Sequence, residues 1–226
     1  MKKAVSTPYC LADVALLDPM LTLSLPPLIT AECGLDALGH AVEAYVSELC
    51  TPFSDILALE SIRLVGKSLL KAFSKGENVE ARYDMLLAAA LAGLAFGSGG
   101  LGAVHAFSFV LETEHGLNHA RAVSVILPHI MQYNRIAASR KMGMIAMALG
   151  EEVEGMAESQ AAEMALVAVN RLLDETGISS RLSDYGITPD DVSALTSGTM
   201  KQTRLFVFNP RNLTETDVSA IFSAAL

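Results

Sequence analysis

An aspartate and five histidines are the residues of this sequence whose types and spacing could do chemistry. Asp36 and His40 lie four residues apart in GLDALGHAVEAY. On a helix this spacing places both side chains on one face, about one turn apart. A carboxylate and an imidazole in that arrangement can bind one divalent cation together. The same spacing is also found in ordinary Asp–His helix pairs, and taken alone the pair favours that interpretation.

The other histidines lie further along the chain. His105 is in the apolar stretch GLGAVHAFSFVL, where a lone histidine is more often a hydrogen-bonded core residue than a ligand. His115 and His119 form H-x-x-x-H in ETEHGLNHARA. Two histidines at this spacing can both reach one metal if the segment is helical. Gly116 and Asn118 between them weaken the helix, so we expect only one of the two to bind.

Several known catalytic motifs are absent from the sequence. Gly116 stands where a zinc protease of the H-E-x-x-H type has its glutamate. Glu112 and His115 form half of a di-iron motif, but there is no second E-x-x-H. His129, which follows a proline, is predicted to be structural. The glycine-rich stretch from Gly97 to Gly100 follows no strand, and we interpret it as a helix break rather than a phosphate-binding loop.

The elements that must position these residues are predicted to be helices. Ala12–Asp18 is predicted to be one short β-strand, followed by a proline-rich joint that ends at Pro26 and Pro27. After the joint, apolar residues recur with a helical period. The predicted helices are Thr30–Glu48, Ser54–Phe73, Val79–Phe96, Leu101–Leu111, Ala120–Asn134, Ser139–Leu149, Met156–Thr176, Asp190–Thr199 and Thr214–Leu226. Ser54 is the predicted N-cap of the second helix. Thr214 is the predicted N-cap of the last helix, where Asp217 completes a capping box. The fold class is therefore mainly α, a bundle of about eight helices over residues 30–226, preceded by the short strand and the proline-rich joint, which together occupy residues 1–29.

Composition and charge exclude several classes of protein. The chain has 226 residues, 51% of them hydrophobic and 18% charged, which excludes a disordered chain. Its net charge of −9 makes nucleic acid an unexpected partner. Three cysteines without C-x-x-C spacing argue against a disulfide framework or a zinc ribbon and favour a reducing, cytoplasmic location. The first ten residues, MKKAVSTPYC, lack the apolar stretch of a signal peptide.

One long segment raises the question of a membrane span. Residues Met85 to Leu111 contain no Asp, Glu, Lys or Arg, and by length they could cross a bilayer. However, the segment is rich in alanine and glycine, is interrupted near its middle by the glycines from Gly97 to Gly100, and contains His105. We therefore expect two consecutive buried helices and no membrane partner.

Five stretches of this sequence together resemble a known family. They are ADVALLDPMLTLSLPP, GLDALGHAVEAYVS, GLGAVHAFSFVL, HGLNHARAVSVILPHIMQYN and NPRNLTETDV. In this order and spacing they resemble the C-terminal helical domain of the iron-containing alcohol dehydrogenase family, from about residue 8 to the end of the chain. The resemblance implies the helical fold that this family shares with the dehydroquinate synthases.

The resemblance also implies a site and a reaction. Family members bind one divalent metal, Fe(II) or Zn(II), through one aspartate and three histidines, and the matching residues are Asp36, His40, His105 and His119. His115 is then left beside the site, as a possible catalytic residue on the substrate side. The implied reaction is hydride transfer between a small alcohol or aldehyde and NAD(P), in which the nicotinamide carries the redox chemistry.

The sequence departs from the family pattern in three places. Many members have a histidine where this chain has Phe109, and a glycine where it has Ala120; the first change removes a polar group near the nicotinamide. Members also carry an α/β domain that binds NAD(P) before the region matched here, and we expect this domain to be absent. We therefore expect an oxidoreductase part with little activity alone, completed by a separate nucleotide-binding subunit, with a homodimer also possible.

Two other interpretations remain open at this point. The chain could be a truncated, catalytically inactive domain that still binds metal. It could also be a metal-dependent lyase or hydrolase that reuses the same residues, by analogy with the dehydroquinate synthases, although this interpretation has the least support.

Overall fold

A computed structural model describes residues 7–10 and 12–226, and within them all regular secondary structure is helical, with no β-strand. The mainly α fold class is therefore confirmed. The expectation that the chain begins without a signal peptide concerns mostly residues 1–6, which lie outside the described residues. The α-helices are α1 (Pro27–Val46), α2 (Pro52–Ser74), α3 (Val79–Gly99), α4 (Ala103–His115), α5 (His119–Asn134), α6 (Ser139–Ala148), α7 (Glu158–Thr176), α8 (Val192–Thr199), α9 (Thr203–Phe206) and α10 (Glu215–Ala224).

The predicted strand over Ala12–Asp18 is wrong, because this segment has no strand pairing. Its apolar side chains are exposed to solvent, 82% for Val14 and 90% for Leu16. A strand is stable only beside a partner that completes its ladder of hydrogen bonds, and the described residues offer no other strand. The segment ends at Asp18, whose side chain accepts a hydrogen bond from the Met20 N–H at 2.9 Å and so begins a short 3-10 helix.

Helix α1 lies at the centre of the bundle and packs against α2, α3 and α5. It begins at Pro27, three residues earlier than predicted, because proline suits the first turn, where its missing N–H is not needed. Its contact with α5 is close at Gly39. A Cβ atom added to this glycine would lie only 2.7 Å from Cγ1 of Val123, so the absence of a side chain sets the distance between the two helices.

Two helix starts illustrate local capping. The N-cap of α2 is Thr51, not Ser54 as predicted: Thr51 Oγ1 accepts from the Ser54 N–H at 3.1 Å, and Ser54 Oγ accepts from the Thr51 N–H at 2.7 Å. Thr51 and Ser54 therefore form a capping box, in which each side chain accepts a hydrogen bond from the backbone N–H of the other residue. At the start of α10 the prediction is confirmed, with Thr214 as N-cap and Asp217 accepting its N–H at 2.9 Å.

The apolar segment before residue 111 forms two helices, as predicted; α4 is largely buried, whereas α3 is only partly buried and leaves Leu94 63% exposed. Helix α3 continues three residues beyond the predicted end at Phe96, and the break comes at Gly100, whose φ of +77° favours glycine. Within the described residues, no single helix is long and apolar enough to cross a membrane; α3 and α4 meet those criteria only as a pair, and the pair is bent by 109°. This bend turns the start of α4 back toward α1.

The remaining helices complete the bundle around this centre. Helix α4 packs against α5 and α8, α6 packs against α7, and α8 packs against α10. The short helix α9 was not predicted, because four residues are too few to show a helical period. The arrangement brings the first turns of α4 and α5 to one face of α1, where Asp36 and His40 lie.

Candidate metal centre

Four of the residues singled out in the sequence meet at one place. Asp36 and His40 come from the middle of α1, His105 from the first turn of α4, and His119 is the first residue of α5. One ligand atom from each side chain lies within 4.8 Å of the other three. The cluster lies at the edge of the bundle: the His105 side chain is buried, and that of His119 is 33% exposed.

The distances between the ligand atoms fit a single metal ion. Nε2 of His40 lies 3.0 Å from Nε2 of His105, and Nε2 of His119 lies 3.6 Å from Oδ1 of Asp36. Two ligands that each bind one ion at about 2.1 Å lie roughly 3.0 to 3.5 Å apart, depending on the coordination angle. The four side chains can therefore surround a common centre without rearranging the helices.

Glu43, one turn after His40 on α1, orients His105. Its Oε2 lies 2.5 Å from Nδ1 of His105, and its Oε1 accepts the backbone N–H of Val104 at 2.6 Å. The carboxylate is buried, with 4% of the residue exposed. Because a carboxylate only accepts, Nδ1 of His105 carries a proton, so Nε2 is the ring nitrogen that faces the cluster and is placed to bind a metal ion.

Glu112 holds His119 in the same way. Its Oε1 lies 2.5 Å from Nδ1 of His119, so Nε2 is the nitrogen of that ring that faces the cluster. The backbone places His119 by ending α4 at Gly116, in the left-handed conformation with φ +70°, and starting α5 after Asn118. Asn118 is the N-cap of α5, and its Oδ1 accepts the Arg121 N–H at 2.9 Å.

His40 lies between these groups, and burial lowers its pKa to about 3, with additional lowering from His105 and His119. The negative charge of Glu43 and a hydrogen bond to the backbone of Asp36 oppose this lowering of the pKa. One face of its ring is covered by Phe96, with 4.9 Å between the ring centroids. His40 is therefore neutral at pH 7, which is the form that binds a metal ion.

The arrangement brings two imidazole nitrogens close together. Nε2 of His40 lies 3.0 Å from Nε2 of His105, whose Nδ1 is bound to Glu43. Such a contact is repulsive unless a cation or a proton lies between the two nitrogens. A divalent cation fits this position, because three imidazoles and one carboxylate surround it.

The other sequence candidates lie outside this cluster. His115 is the last residue of α4, ten residues after His105 and before the turn at Gly116 that leads to His119, and it is not part of the cluster. His129 donates to or accepts from no ligand residue; its Nε2 lies 2.9 Å from the Ser180 carbonyl, in accordance with a structural role. The ring of Phe109 lies edge-on to His105, with 6.4 Å between the centroids, and so puts an apolar wall beside the cluster.

Glu43 and Glu112, the two glutamates that orient the histidines, were not predicted from the sequence. Glu43 lies three residues after His40, so its position on the ligand face of α1 was available from the helical period. Glu112 was noted only for its spacing to His115, whereas the structure pairs it with His119. No local pattern identifies that pairing, because the chain reverses direction between α4 and α5.

Comparison with known proteins finds relatives over almost the whole of this chain. Residues 30–226 match the sequence profile of the Fe-containing alcohol dehydrogenase family, C-terminal region. The long-chain-alcohol dehydrogenase 1 of Geobacillus thermodenitrificans is 40% identical over 224 residues, covering 99% of this chain and 57% of that protein. The 1,3-propanediol dehydrogenase of Klebsiella pneumoniae is 39% identical, covering 95% of this chain and 55% of that protein.

A solved structure shows the same architecture. The crystal structure of a 1,3-propanediol oxidoreductase superposes with a TM-score of 0.90 at 38% identity, covering 92% of this chain and 55% of that one. The chain therefore spans little more than half the length of the relatives that it matches.

Proposed function

The chain belongs to the Fe-containing alcohol dehydrogenase family, and from this premise we propose that it is the metal-binding part of an enzyme that transfers hydride between an alcohol or aldehyde and NAD(P). The observation that carries the proposal is the meeting of Asp36, His40, His105 and His119 within 4.8 Å. These residues come from three different helices, so their meeting does not follow simply from neighbouring positions on one helix.

The donor set supports Fe(II) or Zn(II) as the ion. Imidazole nitrogens suit both metals, and a single carboxylate leaves a net positive charge on a divalent ion. When bound, such an ion acts as a Lewis acid on the oxygen of an alcohol or a carbonyl group. We propose Asp36, His40, His105 and His119 as its ligands.

The residues of the chain prepare this site before any ligand arrives. Glu43 and Glu112 fix the tautomers of His105 and His119, so that both Nε2 atoms face inward. Burial keeps His40 neutral, and Phe96 covers one face of its ring. The histidine rings therefore already face the position of the cation, and His40 is already neutral at pH 7.

An exposed apolar face supports the proposal of a nucleotide-binding partner. Val14 and Leu16 in the extended segment and Leu21 in the 3-10 helix are 80% to 90% exposed. The backbone of residues 12–18 pairs with no strand among the described residues, so it is available to form hydrogen bonds with the edge strand of a sheet. We propose that an α/β unit that binds NAD(P) covers this face. The three free cysteines are consistent with the cytoplasmic location that we also propose.

Metal binding is tested with the purified chain and two matched variants. The chain is equilibrated with Zn(II), or with Fe(II) without oxygen, desalted, and analysed for bound metal. We expect about one ion per chain, retained in His115→Ala and lost in His119→Ala, because only His119 lies in the cluster. Equal metal content in the two variants, or none in the native chain, would contradict the ligand assignment.

Activity is tested separately by following NADH formation with a primary alcohol. We expect little turnover by the chain alone, and turnover when the nucleotide-binding half of a close relative is added. Metal binding without activity under either condition would favour the alternative, an inactive metal-binding domain. Full turnover by the 226 residues alone would show that no partner is required.

A further inference from the structure

We infer that Glu32 is a positioning residue for the metal centre: it clamps the start of α5 to α1 and so sets where His119 stands relative to Asp36. The inference rests on the proposed function, because it concerns the metal site proposed above. It assigns a role to three residues, Glu32, Asn118 and Arg121, none of which is among the proposed ligands.

The contacts of Glu32 are directed at the first turn of α5. Its Oε1 accepts from Nε of Arg121 at 2.6 Å and also contacts Nη2, while its Oε2 accepts from Nδ2 of Asn118 at 3.1 Å. The residue is 2% exposed. A carboxylate is buried at this cost only where its partners are held in place, and here both partners belong to the segment around His119.

Asn118 connects this contact to the backbone of the ligand helix. Its Nδ2 donates to Glu32, and its Oδ1 accepts the N–H of Arg121 as the N-cap of α5. Both ends of one amide group are therefore used, which fixes its rotation. Since His119 follows directly, the clamp controls the point at which α5 begins and the direction of the His119 side chain.

The position of Glu32 on α1 makes the clamp effective. Glu32, Asp36 and His40 are spaced by four residues, so they lie on one face of the helix in successive turns. The α5 anchor is thus one turn from the first ligand. The guanidinium of Arg121 also lies over the ring of Tyr185, 5.7 Å from its centroid, which holds the Arg121 side chain from its other side.

The test compares metal affinity and ligand geometry in two variants of the full chain. Glu32→Gln removes the negative charge of residue 32. It also replaces one of the two oxygens that accept from Arg121 and Asn118 with an amide nitrogen, which donates. Arg121→Lys keeps every charge but loses the planar fork that grips Glu32. Co(II) is titrated into metal-free protein against a chelator of known affinity, and the visible absorption of bound Co(II) reports the coordination.

A positioning role predicts weaker Co(II) binding, by about 10- to 100-fold, in both variants, as is typical when a group behind a metal ligand is removed. The bound Co(II) spectrum should change as well. A purely electrostatic role predicts weaker binding in Glu32→Gln and none of these effects in Arg121→Lys. Native affinity with a native spectrum in Arg121→Lys would therefore overturn the inference, even if Glu32→Gln failed to fold.

Asp84→Asn is the matched control for loss of a buried carboxylate. Asp84 is 6% exposed and accepts from Ser68 at 2.5 Å and from Lys67 at 2.9 Å, away from the ligand helices α4 and α5. We expect this variant to be less stable but to bind Co(II) with native affinity. If the native chain itself binds no Co(II), the proposed function fails; if it binds and both clamp variants bind equally well, only the inference about Glu32 fails.

Discussion

Replacing Glu43 with glutamine tests the central link between the helix packing and the metal site. The carboxylate of Glu43 accepts two hydrogen bonds at once, from Nδ1 of His105 at 2.5 Å and from the backbone N–H of Val104 at 2.6 Å. Glutamine has one accepting oxygen and one donating nitrogen. Because both partners in Glu43→Gln would still be donors, one of them must lose its acceptor.

The expected cost follows from the number and type of bonds lost. A hydrogen bond to a charged group contributes about 1.5 to 3 kcal/mol, and leaving a buried donor without an acceptor has a cost of similar size. Glu43 is 4% exposed, so water cannot readily replace it. It also places a negative charge at the N-terminus of α4, where Gly102 provides no side-chain cap. We expect the metal-free variant to lose about 2 to 3 kcal/mol of unfolding free energy, a fall in Tm of about 5 to 10 °C for a chain of this size.

Metal affinity should fall as well, for a second reason. If His105 gives up its Nδ1 proton to suit the amide, the proton moves to Nε2 and blocks the lone pair that faces the cluster. We expect binding of Zn(II) to weaken by about 10- to 100-fold. The measurements are urea unfolding of the metal-free chain and Zn(II) competition with a chelator.

The matched control is Glu60→Gln. Glu60 also forms short hydrogen bonds, to Arg63, but its side chain is 43% exposed, so the change should cost less than about 1 kcal/mol and leave Zn(II) affinity unchanged. If Glu43→Gln unfolded within about 0.5 kcal/mol of the native chain and bound Zn(II) with native affinity, the assignment of Glu43 as the group that orients His105 would be refuted.

Three further predictions concern the metal, pH and helix packing. Zn(II) at 100 times its Kd should stabilise the native chain by about 2.7 kcal/mol, raising Tm by roughly 5 to 10 °C in a thermal scan, and His40→Ala should abolish most of this rise. In metal-free protein, the unfolding free energy should be constant above about pH 6.5 and fall as the pH drops toward 3. The reason is that the unfolded chain binds a proton that native His40, with its pKa lowered to about 3, does not bind. Urea unfolding of His40→Ala at several pH values should show a shallower fall, and an equal slope would contradict the lowered pKa of His40. Gly39→Ala should destabilise the chain by about 1 to 3 kcal/mol, because the new Cβ would lie 2.7 Å from Val123 Cγ1, whereas Gly93→Ala, with no atom within 4 Å of the new Cβ, should stabilise α3 by about 0.5 to 1 kcal/mol.

The α-helices other than the four-residue α9 were predictable from the sequence, with ends that differ by up to about four residues. Helical periodicity is a local property, and it placed Asp36 and His40 on one face of α1 without further information. Capping is equally local where both partners stand close in the chain, as Thr214 and Asp217 do. The start of α2 shows the limit, since Thr51 and Ser54 can each cap a helix and only the direction of the incoming chain decides between them.

The metal-ligand set came from resemblance to a family rather than from the spacing of the residues alone. His105 on an apolar stretch and His119 beside His115 each had a more common structural explanation. The structure brings His105 and His119 to the face of α1 that carries Asp36 and His40, through the bend between α3 and α4 and the left-handed Gly116. The sequence of neither turn indicates in which direction the following helix will run, and so which of its side chains will face α1.

The strand prediction was wrong for the same physical reason that the site could not be predicted from local sequence: both depend on contacts with distant parts of the chain. An apolar run such as Ala12–Asp18 has the composition of a strand, but a strand exists only through hydrogen bonds to a neighbour, and the described residues provide none. Composition and periodicity alone therefore determined that this chain is a bundle of helices with a carboxylate and an imidazole on its central helix. Only the tertiary structure decided which distant side chains meet there, because the buried glutamates Glu32, Glu43 and Glu112 find their partners through helix packing rather than through spacing along the chain.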